Sequence, residues 1–179
     1  MKQSSRQLVL GALALLALSS PAAGQGPYIF FGGGATFPIG DYGDYAKTGW
    51  IATGGVGVDV GKGGTWLEAE GFFGSNKHSD VEGDKTNLVI GLAAIGHTFG
   101  AAGKKVRPYV VAGAGFLQHK YVPNTGTGDT ETKFAYSGGT GLSFKMGARA
   151  SFWVEGRFLG GTDTRIVPIT AGFTLNLHK

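Results

Sequence analysis

From residue 28 onward the chain repeats one pattern: apolar residues alternate with small or polar ones, in eight segments separated by glycine-rich or polar breaks. The segments are Tyr28–Pro38, Trp50–Val60, Thr65–Ser75, Thr86–Phe99, Val106–Lys120, Phe134–Met146, Ala150–Leu159 and Ile166–Leu177. A period of two puts successive side chains on opposite faces of a strand. Most segments are 10–14 residues long. That exceeds the roughly 5–6 residues of a typical soluble strand and meets the roughly 9–11 that a tilted membrane strand needs. No stretch after residue 24 reaches the roughly 18 apolar residues of a membrane helix, and no helical periodicity stands out. The fold class is all-β.

The two faces differ in chemistry. In the second segment Trp50, Ala52, Gly54, Val56, Val58 and Val60 oppose Thr53, Gly55, Gly57 and Asp59. In the third, Leu67, Ala69, Gly71 and Phe73 oppose Trp66, Glu68, Glu70 and Phe72. In the seventh, Phe152, Val154, Gly156 and Phe158 oppose Ser151, Trp153, Glu155 and Arg157. In the eighth, Ile169, Ala171, Phe173, Leu175 and Leu177 oppose Thr170, Gly172, Thr174 and Asn176. In a membrane barrel the apolar face meets lipid and the other lines the lumen. A soluble eight-stranded barrel of lipocalin type has the same topology, but its outward positions would carry many Lys and Glu. Only 16% of this chain is charged, and much of that lies in loops.

The breaks alternate in length. Gly61 to Gly64, Gly100 to Lys105 and Gly147 to Arg149 are short; Ile39 to Gly49, Asn76 to Lys85 and Tyr121 to Lys133 are longer and polar, and Gly160 to Arg165 is intermediate. Short turns on one rim and long loops on the other is the transmembrane-barrel arrangement, with the short side periplasmic. The expectation is an eight-stranded antiparallel up-and-down transmembrane β-barrel.

The N-terminus fits export. Lys2 and Arg6 precede the apolar run Leu8 to Leu18, which Ser19-Ser20-Pro21 ends, and Ala22-Ala23-Gly24 supplies small residues for a signal peptidase. An eleven-residue helix spans only about 16 Å at 1.5 Å per residue, against a bilayer core of about 30 Å. Residues 1–24 read as a cleaved signal peptide, with the cut near Gly24 or Gln25, and 25–179 as one barrel domain. The leader holds two of the sixteen Lys+Arg and none of the twelve Asp+Glu, which leaves +2 on the mature part. With no basic run left, nucleic acid is not an expected partner. There is no cysteine, so a disulfide-stapled scaffold is excluded. Glycine is 34 of 179 residues, against an average near 7%; its mixture with aromatics inside the segments points to close packing and curvature of strands.

The candidate site is the set of charges on the inner face: Asp59, Glu68, Glu70, Arg107, Lys145, Glu155 and Arg157. Buried charges persist when paired, because desolvating a lone one costs several kcal/mol. The interior of an eight-stranded barrel is only wide enough for side chains. An internal ion-pair plug is therefore expected, and a gate opened by partner exchange is the alternative. Other chemistry is weaker. His78, His97, His119 and His178 show no metal-ligand spacing. Ser75, His78 and Ser79 share the outer rim without an orienting partner for catalysis. Gly32 to Gly34 and Gly54 to Gly57 lack the Lys-Ser/Thr and the helix of a phosphate loop. No cofactor is expected. Tyr28, Phe37, Trp50, Trp66, Tyr109 and Phe134, near strand ends, suit interfacial girdles, with Trp66 able to point inward. Asp41-Tyr42-Gly43-Asp44-Tyr45 in the first long loop is the leading surface-recognition segment, set against an ordinary solvated loop.

Trp66–Gly74 (WLEAEGFFG), Arg107–Phe116 (RPYVVAGAGF), Trp153–Phe158 (WVEGRF) and Pro168–Leu177 (PITAGFTLNL) resemble strands of the small outer-membrane β-barrel family that includes outer-membrane protein A and the opacity-type proteins. The likeness extends over the whole mature part. The last segment resembles the C-terminal signal read by the outer-membrane assembly machinery, with Thr170, Gly172, Leu175 and Leu177 in its polar, glycine and apolar places; His178-Lys179 depart from the aromatic end of many relatives. Relatives with a peptidoglycan-binding domain place it after the barrel, and a barrel without it is expected here. The resemblance implies an outer-membrane location, lipid and the assembly machinery as partners, and loops able to contact a surface ligand. The expected function is a non-enzymatic structural or interaction barrel. The alternatives are a small gated pore and, after it, a soluble exported carrier.

Overall fold

A computed structural model of the chain describes residues 26–60, 63–79, 83–101 and 103–177. The expected signal peptide and the departing pair His178-Lys179 lie outside the described residues. Eight strands form: β1 (Tyr28–Ile39), β2 (Gly49–Val60), β3 (Thr65–Lys77), β4 (Lys85–Thr98), β5 (Val106–Val122), β6 (Thr130–Lys145), β7 (Ala150–Gly160) and β8 (Arg165–Asn176). Each pairs antiparallel with its neighbours in sequence, and β8 pairs with β1 from Arg165↔Ile39 to Asn176↔Tyr28, closing the barrel. Closure leaves no open edge, which is the condition for strands to cross a membrane. Among the described residues no helix is long and apolar enough to cross one.

Alternation puts large apolar side chains outward around the wall: Phe31, Ile95 and Ile169 are 51–53% exposed, and Phe73, Val110, Leu142 and Phe173 join them. In water so continuous an apolar surface is an aggregation liability; around a barrel it is the lipid-facing belt.

Inward aromatics explain much of the glycine. Tyr28 faces Gly57, Phe30 faces Gly55, Trp66 faces Gly96, Tyr109 faces Gly141 and Trp153 faces Gly172 across adjacent strands. In each case a β-carbon on the glycine would run into the partner's ring. The ring lies along the wall where its neighbour has no side chain, so large aromatics fit inside a narrow barrel. Two aromatics expected at the membrane interface, Tyr28 and Tyr109, are therefore lumenal, and Trp66 takes the inward orientation its pattern allows; all three are 7–8% exposed, because they share parity with the inward face. Phe37, Trp50 and Phe134 do point outward, at 40–67% exposure.

The loops depart from expectation in two places. The β5–β6 hairpin runs on to Val122 and restarts at Thr130, so the expected loop Tyr121 to Lys133 contracts to residues 123–129. Thr, Glu and Lys alternate through Thr130–Lys133, a polar hairpin that stands beyond the apolar belt and carries no apolar face to betray it. The first loop holds a short helix, α1 (Asp41–Tyr45), entered through Gly40 at φ 60°, a left-handed conformation that suits glycine. Tyr42, in the segment expected at the surface, is 2% exposed. It packs with the lumenal cluster and not toward solvent, because the helix turns its ring down into the barrel mouth.

Candidate functional site

The interior is layered. At its outer, long-loop end, Ile51, Phe72, Leu88, Ile90, Leu117, Leu159 and Ile166 form one buried cluster, with Tyr42 and Ala46 from the first loop. At the inner, short-turn end, Tyr28, Phe30, Trp66, Ala94, Tyr109, Val111 and Trp153 form a second. Sequence patterning assigns the charged face to the lumen, yet this outer half is apolar. Strand β4 shows why the pattern missed it: Leu88, Ile90 and Leu92 point in while Val89, Ala93 and Ile95 point out, so alternation of polarity disappears there.

Three of the seven expected charges meet between the layers. Glu155 and Arg157, two apart on β7, share the inward face, and the guanidinium binds Glu155 with two hydrogen bonds, Nε to Oε1 at 2.8 Å and Nη2 to Oε2 at 3.1 Å. Its Nη1 donates to Glu70 Oε1 of β3. The same group lies 5.5 Å from the centroid of the Phe72 ring. Exposures of 4–7% put all three residues away from water, where charge-assisted, bidentate contacts are strongest. Glu68 is separate and accepts a 2.9 Å hydrogen bond from the Tyr28 hydroxyl. Asp59 and Arg107 line the inner half with no ion pair to each other within 4 Å among the described residues. Lys145 is exposed at the end of β6, apart from the cluster. Sequence reasoning missed Tyr28, Phe72 as a cation–π partner, and the Trp66 indole, which donates to Thr98 Oγ1 at 3.1 Å. Parity with Arg107 would have placed Tyr109 inside.

The outer rim is tied by polar contacts. Asn76 donates to Thr36 Oγ1 and to the Lys47 carbonyl, both at 2.8 Å. Ser79 donates through its hydroxyl to the Tyr45 carbonyl at 2.9 Å, and His78 Nε2 lies 2.8 Å from Thr86 Oγ1. The serine and histidine of the rim are thus each engaged elsewhere and not with one another. Asp84 accepts from the Tyr121 hydroxyl and from the Asn124 amide, the latter at 2.8 Å, and these donors hold its carboxyl below the usual range. Lys133 pairs with Asp163 and, at 3.0 Å, with Glu131; the Lys133 ammonium holds Asp163 low in the same way. Among the described residues no group of His, Cys, Asp or Glu is arranged to hold a metal.

Of the residues matched to an assembly signal, Thr170 and Gly172 face inward, the glycine beneath the Trp153 ring. Leu175 and Leu177 are outward and exposed, and the Leu177 amide donates to the Pro27 carbonyl at 2.9 Å beside the β1 seam.

A family model described as the outer membrane protein beta-barrel domain matches residues 8–174. The chain belongs to this family. The likeness read from its strands is borne out, and the protein is an outer-membrane barrel. No curated protein matches the sequence. Among solved structures the barrel is similar to Neisserial surface protein A, with a TM-score of 0.69 at 13% identity over 84% of this chain and 97% of that one. The N-terminal barrel domain of Pseudomonas aeruginosa OprF gives a TM-score of 0.59 at 18% identity, over 85% of this chain and 98% of that one. The attachment invasion locus protein of Yersinia pestis gives 0.54 at 15% identity, over 85% and 99%. At such identities the family shares a fold with these proteins, and the residues that fill the lumen are this chain's own matter. The soluble-carrier alternative falls with the family and with the outward apolar belt.

Proposed function

We propose that the protein is a closed, non-catalytic barrel of the outer membrane that displays its loops at the cell surface and fills its interior with side chains. The packing of the outer half carries this reading. Leu88, Ile90, Leu117, Leu159 and Ile166 retain 0–1% exposure inside the wall, and Tyr42 joins them from above. An ion crossing that layer would shed its hydration against largely aliphatic walls, where the buried polar groups, Ser137 and Asn76 among them, carry no charge. The engagement of His78 and Ser79 with separate partners supports the non-catalytic part. Loops tied to one another at the rim present a surface for a ligand on a rigid scaffold. Residues 1–24 act as the export signal, and Thr170, Gly172, Leu175 and Leu177 as the assembly signal. Sequencing the N-terminus of protein recovered from membranes is expected to start near Gly24 or Gln25; a chain beginning at Met1 would overturn the export part.

The test of closure is conductance. Purified, heat-modifiable protein in a planar bilayer is expected to pass no unitary current, and a steady open level for the unaltered protein would sink the proposal. A gated pore is the second reading, favoured by one observation: Arg157 sits between two carboxylates that could exchange it. In that reading Arg157→Glu changes the current; in the closed reading the current stays at zero.

A further inference from the structure

Below the ion-paired layer, the inner half of the barrel holds a cavity of about 140 Å³. It reaches the short-turn end, since its lining extends to Ser143, Ser151 and Asn176 near the strand termini, while the apolar cluster shuts it off outward. A water takes about 30 Å³ of liquid, so the space suits a solute on the order of five heavy atoms. We propose that this cavity binds a small alkylammonium ion, the class of methylated amines and quaternary ammonium groups, entering from the periplasmic side.

Three independent features lead there. The walls are aromatic: Tyr28, Trp66, Tyr109 and Trp153 all line the space, and Trp66 meets Tyr109 at 6.1 Å with their planes 68° apart, which forms a corner. Each of these rings lies against a glycine on the adjacent strand, so the walls are held before any ligand arrives. Aromatic enclosures of this kind attract organic cations through the ring faces.

Charge is the second feature. Four carboxylates line the cavity, Asp59, Glu68, Glu70 and Glu155, against the guanidinium groups of Arg107 and Arg157. Arg157 is committed to Glu70 and Glu155. Glu68 has only the neutral Tyr28 hydroxyl, which donates to it, and Asp59 has no ion-pair partner within 4 Å among the described residues, so two acidic side chains without a cationic partner face the space. The third is Thr53, 8% exposed and lining the same cavity, whose hydroxyl has no hydrogen-bond partner. A bare metal ion is the poorer occupant: it needs several converging oxygens, and no such acidic group exists among the described residues. Acidic side chains free of a cationic partner, inside aromatic walls, match a bulky monovalent cation.

The experiment uses the full mature barrel carrying Trp50→Phe, which removes the lipid-facing indole, folded in glucoside micelles free of choline groups. Tetramethylammonium chloride is titrated against the emission of Trp66 and Trp153, with sodium chloride at equal ionic strength and 2,2-dimethylpropan-1-ol, a neutral analogue of similar size, as controls. A saturable change is expected for tetramethylammonium alone, weakened at least tenfold by Glu68→Gln and unaffected or tightened by Arg107→Gln. Transfer of magnetisation from the ligand methyl protons to the two indoles is expected in the unaltered protein, which keeps the proposal testable should a variant fail to fold. A linear response, an equal response to sodium or to the neutral alcohol, or an unchanged affinity in folded Glu68→Gln would overturn it and leave the cavity as a water-filled space.

Discussion

Arg157 is the residue on which the interior turns. Removing it leaves Glu70 and Glu155 facing each other at 6–7% exposure, and breaking a buried pair on one side costs about 3–5 kcal/mol. Arg157→Met is expected to lower unfolding stability by that amount in denaturant titrations followed by gel mobility. The triple variant Glu70→Leu, Glu155→Leu, Arg157→Met should recover most of it, because apolar replacement of a whole buried ion group is often neutral or favourable. If the single variant is as stable as the parent, the cluster is wetter than its burial implies. The glycines make a second residue-scale prediction. A β-carbon on Gly96 would come 2.5 Å from Cε2 of Trp66 and nearer still to other ring atoms. Gly96→Ala should therefore cost about 1–3 kcal/mol by overpacking. In that background Trp66→Leu should cost less than it does alone, a coupling that a double-mutant cycle measures. Additive effects would show that the ring and the glycine do not share the space.

At the scale of elements, the loops are fastened to the strands in pairs. The first loop is bound to the β3 end through Asn76 and Ser79, and the second to the third through Asp84. The Asp84 carboxyl is held below its ordinary value by the Tyr121 hydroxyl first and the Asn124 amide second. A carboxyl depressed on folding contributes its stabilisation above the unfolded pKa and loses it as pH falls through the lower folded value. The tie is thus complete at neutral pH and releases only below about pH 3.9, the ordinary aspartate value. Carboxyl NMR is expected to find Asp84 titrating below that value. Asp84→Asn should speed proteolytic nicking within residues 78–84 and 123–129 at neutral pH while heat-modifiable migration persists. Unchanged nicking would mean that the loops are held by something other than this carboxylate.

For the whole molecule the surroundings set the cost of each substitution. Ala93 is outward and exposed in the middle of β4. Arginine there faces lipid and is expected to cost about 2–4 kcal/mol near the bilayer midplane, measured by reversible unfolding in vesicles. In a barrel surrounded by water the same change would be close to neutral, so a null result would contradict the membrane setting outright. The interior obeys the opposite logic: an apolar outer layer, an ion-paired middle and an aromatic inner chamber. In the proposed reading that order closes one narrow lumen at its long-loop end and leaves it open at its short-turn end.

Strand number, strand length outside the β5–β6 hairpin, the direction each face points and the alternation of short turns with long loops could be read from residues close together in the chain, because period-two patterning and turn chemistry are local. Glu155 and Arg157 were legible as inward for the same reason. Their meeting with Glu70 was not: the Arg157–Glu70 contact joins residues 87 apart, and which strands confront each other across the lumen depends on barrel closure and stagger. Parity names a face without naming a neighbour. The apolar outer layer escaped notice because β4 is apolar on both sides, and Tyr42 because a polar, glycine-containing loop gives no sign that it folds back into the mouth. Packing inside a closed wall, where every side chain competes for one small volume, settled those points.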